Sequence, residues 1–155
     1  MDLFFLVKTV HIISSTILFG TGIGIAFFMA YAHLGDHIEA RYYAVRTTVL
    51  ADMIFTAPAV IIQPVSGFAL IHLAGHDMSA PWLLWTYGLY ILAGICWLPV
   101  VGIQMKLRDI LKKCRDTGEP LPGGYKKLFR LWFILGWPAF IALVVIFFLM
   151  VEKPV

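Results

Sequence analysis

Near the start of the chain, two residues have the types and spacing for chemistry in an apolar setting. His11 lies inside the run KTVHIISSTILFGTGIGIAFFMAY, with Lys8 three residues earlier. On a helix, residues three apart share a face. An imidazole two turns inside a membrane span is costly unless a partner or cavity takes it, so it marks a functional site. A neutral ring offers a lone pair to a metal, and a lysine offers a cation near the membrane surface. The bland alternatives are a hydrogen bond to another helix for His11 and snorkelling to the headgroups for Lys8.

Other polar groups fall at comparable depth. With the helical rise, His11 lies roughly 12 Å below the outer surface, Gln63 roughly 16 Å, and Tyr87 and Tyr90 about 8–14 Å. His72 is shallower, at around 3 Å. One layer can therefore gather His11, Gln63, Tyr87 or Tyr90, and Ser14 or Ser15, with Lys8 and His72 above it.

That pattern suits a porphyrin, whose faces pack on aromatics, whose iron takes an imidazole and whose propionates want a cation. In this reading His11 is the iron ligand and Lys8 a propionate contact. Gln63 with Tyr87 or Tyr90 surrounds the group, and His72 is the other intramembrane candidate for a metal position. His33, His37 and His76 fall in connections and are expected to be solvated. Asp52 belongs to a deeper layer, where Thr56, Thr48 or Arg46 would satisfy it. The six methionines show no MxxM clustering, which weighs against a dedicated copper path, and copper stays as the alternative metal. No catalytic residue is assigned.

The composition says what must position these groups. Of 155 residues, 61% are hydrophobic and 14% charged, against roughly 45–50% and about 25% in soluble domains. This implies an all-α, polytopic membrane protein, with one domain over residues 1–155. Four apolar spans are expected, at 3–31, 43–73, 81–104 and 130–151, each able to reach across a bilayer. Short connections favour an up-down four-helix bundle.

The second helix is expected to begin near Ile38, with Asp36 as its N-cap. The third begins at Pro81 behind a capping Ser79 and extends to Arg115, and a lead-in from Tyr125 to Arg130 starts the fourth. Pro58 and Pro64 inside the second span free backbone carbonyls and bend it, and Gly136-Trp137-Pro138 makes a similar break in the fourth. Gly20 and Gly24 stand at the spacing that admits another helix, and a homo-oligomer is expected.

Charge sets orientation. Of twelve Lys and Arg, eight lie between Lys106 and Arg130, and Arg41 and Arg46 lie in or near the first connection. The positive-inside bias therefore places the first and third connections in the cytoplasm and both termini outside. The basic run reads as a topology signal with some attraction to anionic lipid; no nucleic-acid partner is expected. Cys96 and Cys114 on one helix stand roughly 27 Å apart, beyond disulfide reach. Neither sits in CxxCH, so covalent haem attachment is excluded on this chain. The opening MDLFFLVKTVHII has no basic n-region or cleavage site, and a retained helix is expected.

The motifs KTVHII, LFGTGIGIAFFM, DMIFTAPAVIIQPVSG, WLPVVGIQMKLRD and LFRLWFILGWPAF together resemble an uncharacterised family of bacterial integral membrane proteins. In layout this family is similar to small four-helix proteins that include HemJ-type protoporphyrinogen oxidases and the membrane domain of CopD-like copper-resistance proteins. The HemJ resemblance implies haem b, with His11 matching the first-helix histidine in its Lys/aromatic context. Thr56-Ala57-Pro58 and Gly67 are similar to a Thr-Pro and following glycine, with Ala57 intervening. Trp82 matches a tryptophan at the start of the third helix, but Thr86 stands where a functional lysine belongs. What carries over is the bundle and His11, not the reaction.

The expected function is thus an integral membrane haem b-binding redox protein, acting on a porphyrin or quinone-like small molecule or relaying electrons. The rival readings are copper handling and a non-catalytic assembly subunit in which His11 only joins helices.

Overall fold

The computed structural model describes residues 2–154. Its elements are α1 (Leu3–Ala32), α2 (Ile38–Ala51), a π-helical turn (Asp52–Thr56), α3 (Ala57–Ala74), α4 (Pro81–Thr117) and α5 (Tyr125–Glu152). The chain α2–π turn–α3 is one continuous rod of 37 residues, so the described residues hold four helices long and apolar enough to cross a membrane. The expected spans are all present, and the helices overrun them at the basic end, where α4 runs on to Thr117 and α5 already begins at Tyr125.

Local chemistry sets the helix ends. Asp2 caps α1 by accepting from the Phe4 N–H at 3.1 Å, as short acceptor side chains do at that position. Two expected caps are displaced. His37, not Asp36, occupies the N-cap of α2, because Asp36 turns instead to the Arg41 guanidinium at 3.0 Å. Ala80 precedes α4, and Ser79 is occupied elsewhere, its N–H and hydroxyl both donating to Asp77 Oδ1 at 2.9 and 2.7 Å. Pro81 does stand in the first turn of α4, where its missing N–H costs nothing. Gly75 and Gly118 close α3 and α4 with φ of +66° and +71°, left-handed values that favour glycine.

The π turn has a cause in the sequence. Pro58 carries no N–H, and one residue earlier the Ala57 N–H reaches back to the Asp52 carbonyl, five residues away. The wider turn absorbs the break that a helix-internal proline imposes.

Packing is uneven along the bundle. α4 and α5 pack along their lengths, and α1 packs on α2, the π turn and α3. One core sits at the basic end around Met29, Val45, Leu107, Leu111 and Trp132. A smaller one lies at the terminal end, around Ile71, Trp82 and Leu83 with Leu149 and Met150. Between them α3 and α4 make little close backbone approach, and aromatic side chains span the gap, with Phe68 stacked on Tyr87 at 5.7 Å. Phe19 of α1 likewise reaches Phe140 and Phe147 of α5 at 5.2 and 5.4 Å. The outward faces, including Phe5, Ile13, Phe27, Ile61, Val65, Trp85, Ile95 and Phe148, remain apolar and exposed. In water such a surface is untenable, and in a bilayer it is the required one.

Candidate functional site

A polar seam joins α1 to α3. Gln63, Ser66 and Gly67 recur at three- and four-residue spacing, so they share one face of α3, and that face meets His11. The His11 Nδ1 lies 2.8 Å from Ser66 Oγ. Ser66 in turn donates its hydroxyl proton to the Ile62 carbonyl at 2.6 Å. A hydroxyl has one proton to give, so toward His11 it accepts, and the imidazole carries its proton on Nδ1. The lone pair of the neutral ring is therefore on Nε2.

Two further contacts fix the ring's helix. Gln63 Nε2 donates to the His11 carbonyl at 2.8 Å, and Ser14 Oγ reaches the Ala59 carbonyl at 3.4 Å. The ring lies over Gly67, where a Cβ would stand 3.4 Å from His11 Cε1. His11 is thus half-buried, with one nitrogen engaged by protein and the other left over.

Tyr90 enters from α4. Its hydroxyl donates to the Val60 carbonyl at 2.6 Å. Val60 is four residues before Pro64, so its carbonyl has no helical N–H to accept from. Tyr87 stacks on Phe68, and its hydroxyl is buried without a hydrogen-bond partner. Of the expected site residues, the structure joins His11 to Gln63 and brings Tyr90 and Tyr87 onto α3 from the other side. Lys8 and His72 do not join them. Both are exposed near the terminal end, and Lys8 Nζ rests 5.7 Å from the Phe4 ring centroid. Ser66 is the residue that sequence reasoning passed over, although its position beside Gln63 on the α3 stripe was a usable signal.

Asp52 forms a second layer. Its side chain is 2% exposed, and the polar groups facing its carboxyl are Thr56, Gln104 and Trp97. None of them is aligned for a good hydrogen bond. Asp52 Oδ2, Thr56 Oγ1, Gln104 Oε1 and Trp97 Nε1 are all buried without a partner. Of the partners expected from the sequence, Thr56 is at hand, Thr48 is buried without bonding the carboxyl and Arg46 is exposed. Single π-helical turns inside α-helices are frequent at functional sites.

At the basic end, His33 departs from the expected solvated state. Its Nδ1 meets the Met29 carbonyl and its Nε2 the Tyr125 hydroxyl, both at 2.6 Å, and its ring stacks on Phe129 at 3.9 Å. A carbonyl only accepts, so Nδ1 carries the proton and Tyr125 donates to Nε2. Burial pushes the ring below the ordinary imidazole range; the Met29 carbonyl opposes this, and the Arg41 charge adds to it.

Among the described residues, no three or more His, Cys, Asp or Glu side chains gather as a metal-binding group.

Over residues 5–154 the chain matches the model of the family described as "Predicted integral membrane protein (DUF2269)". The chain belongs to this family. No curated protein and no solved structure matches it. Membership in this family agrees with the four spans.

Proposed function

We propose that the protein is a haem b-binding redox protein of the membrane, with His11 Nε2 as the ligand to iron. The observation that carries this reading is the Ser66 hydroxyl, which spends its proton on Ile62 and so holds the His11 proton on Nδ1. Histidines that ligate metals show this arrangement, with the distal N–H given to an acceptor that orients the ring. The residues at the seam fit the group. Gln63 fixes the α1 backbone at His11, and Ser66 holds the ring by Nδ1, so that Nε2 is left unengaged.

Bound haem would supply one-electron transfer. The chain's own residues orient the ligand and leave Lys8 free to turn toward a propionate. With the basic end inside the cell, the seam lies in the outer half of the membrane, open to a porphyrin or quinone-like partner. Copper on the same Nε2 is the rival reading, and the free face at Gly20 and Gly24 is the place for a second copy.

The deciding experiment is purification of the full chain in mild detergent from haem-sufficient cells, followed by an absorption spectrum and metal analysis. A Soret band that is lost in His11→Ala and kept in His72→Ala is the expected result. Copper without a Soret band transfers the site to metal handling. A well-folded, colourless and metal-free preparation overturns the proposal and leaves His11 as a joint between helices.

A further inference from the structure

The basic residues are not spread evenly over the cytoplasm-type loops. Arg41, Lys126 and Arg130 line one open cavity of ≈ 580 Å³ with His33, Tyr125 and Phe129, and no acidic side chain lines it. Lys126 and Arg130 are four apart on the first turns of α5, so both point to one side of it. Neither makes an ion pair among the described residues, whereas Arg108, Lys113 and Arg115 each have a carboxylate within 3.1 Å. Arg41 does pair with Asp36, but through one terminal nitrogen and with a carboxylate wholly in the open, and the Arg41 Nε is buried without any partner.

His33 is locked between Met29 and Tyr125 and uses both ring nitrogens, so it offers no acceptor or charge to the cavity. On α5, Phe129 lies between Lys126 and Arg130, and Phe133 lies about one turn deeper into the span. Cations set among aromatic rings, with Phe133 continuing inward past the last of them, match one kind of molecule, an amphiphile whose anionic head ends where its acyl chains begin. Basic pockets between transmembrane helices at the cytoplasmic side take such headgroups, and arginine is suited to phosphate because its donors are forked.

We infer that this cavity is a binding site for the phosphate headgroup of an anionic membrane phospholipid, held by Arg41, Lys126 and Arg130 with an acyl chain along Phe129 and Phe133. Three cations against one phosphate favour a lipid with net negative charge over a zwitterionic one. The site is separate from the His11 seam, at the opposite end of the bundle, and its occupancy does not depend on any cofactor there.

The test is native mass spectrometry of the full-length protein in mild detergent, titrated with phosphatidylglycerol, phosphatidylcholine or inorganic phosphate. The double variant Lys126→Gln/Arg130→Gln is compared with Lys112→Gln/Lys127→Gln, which removes the same charge from outside the cavity. Phosphatidylglycerol should be retained at least tenfold more than phosphatidylcholine, should resist competition by inorganic phosphate, and should lose most of that preference only in the first double variant. Equal loss in both variants would mean diffuse attraction to the basic surface and would overturn the inference. So would equal retention of the two lipids, or displacement by millimolar phosphate, which would point to a site for the free anion.

Discussion

Tyr90 of α4 donates a 2.6 Å hydrogen bond to the Val60 carbonyl of α3, the acceptor that Pro64 leaves without its helical donor. A proline in a membrane helix is tolerated when a neighbour takes up the freed carbonyl, and here the neighbour is one phenol. Tyr90→Phe should therefore destabilise the protein by about 1 kcal/mol, within the range found for polar contacts between membrane helices. In a Pro64→Ala background the new amide N–H can serve Val60, and the same substitution should cost less than half as much. Equilibrium unfolding in bicelles, run as a double-mutant cycle, measures both. Equal costs in the two backgrounds would remove Pro64 from the explanation.

The spans were legible because composition and length decide them, and tertiary detail does not enter. The proline showed which carbonyl would be orphaned, but not that the donor would be Tyr90, since nothing local encodes the rotation of α4 against α3. His11 was legible for the same reason, as an anomaly of depth. His33 was not. It sits in a connection, and its partner Tyr125 is 92 residues away, so burial comes from a contact that the neighbouring residues do not announce. Asp52 was visible as a buried carboxylate, but Gln104 and Trp97 arrive from α4 in the same unannounced way.

The Asp52 layer predicts a substitution that helps. Thr56 Oγ1 is buried and has no partner, and an unmet buried hydroxyl costs roughly 1–3 kcal/mol of desolvation. Thr56→Val keeps the shape and removes that group. Its thermal unfolding midpoint in detergent should match or exceed the parent's. A clear drop would show that the hydroxyl is bonded in the membrane, with Asp52 the nearest acceptor.

His33 predicts how stability varies with pH. Its folded-state value lies below the ordinary 6.5, with burial as the main cause. A depressed imidazole binds its proton more weakly folded than unfolded, so its contribution is fully present above pH 6.5 and is lost as pH falls toward the folded value. Protonation would also strip Nε2 of the lone pair that accepts from Tyr125. Unfolding midpoints recorded from pH 7.5 down to 5 should fall, and the fall should be shallower in His33→Gln. An unchanged slope in that variant would assign the pH dependence to other groups.

The small face of α1 makes a different claim. A Cβ added at Gly24 would meet nothing within 4 Å inside the chain, and alanine is favoured over glycine in a helix by about 0.8–1.0 kcal/mol. Gly24→Ala should raise the unfolding midpoint of the protomer measured at high detergent dilution. A lower midpoint there would show that the chain itself uses the notch.

Ser66 is the residue on which the reading of His11 turns. If its hydroxyl accepts the Nδ1 proton, Ser66→Ala removes the group that makes the imidazole a better donor at Nε2. Loss of such an orienting partner typically weakens metal affinity about 10–100-fold. Haem titrated into the apoprotein should bind correspondingly more weakly in Ser66→Ala, and a ring that donates less should hold ferric iron less well, raising the reduction potential. Ser66→Thr retains the hydroxyl and should recover most of both. A merely structural Ser66 would lower the unfolding midpoint in Ser66→Ala without moving the potential, so the potential is the measurement that separates orientation of a ligand from simple joining of α1 to α3.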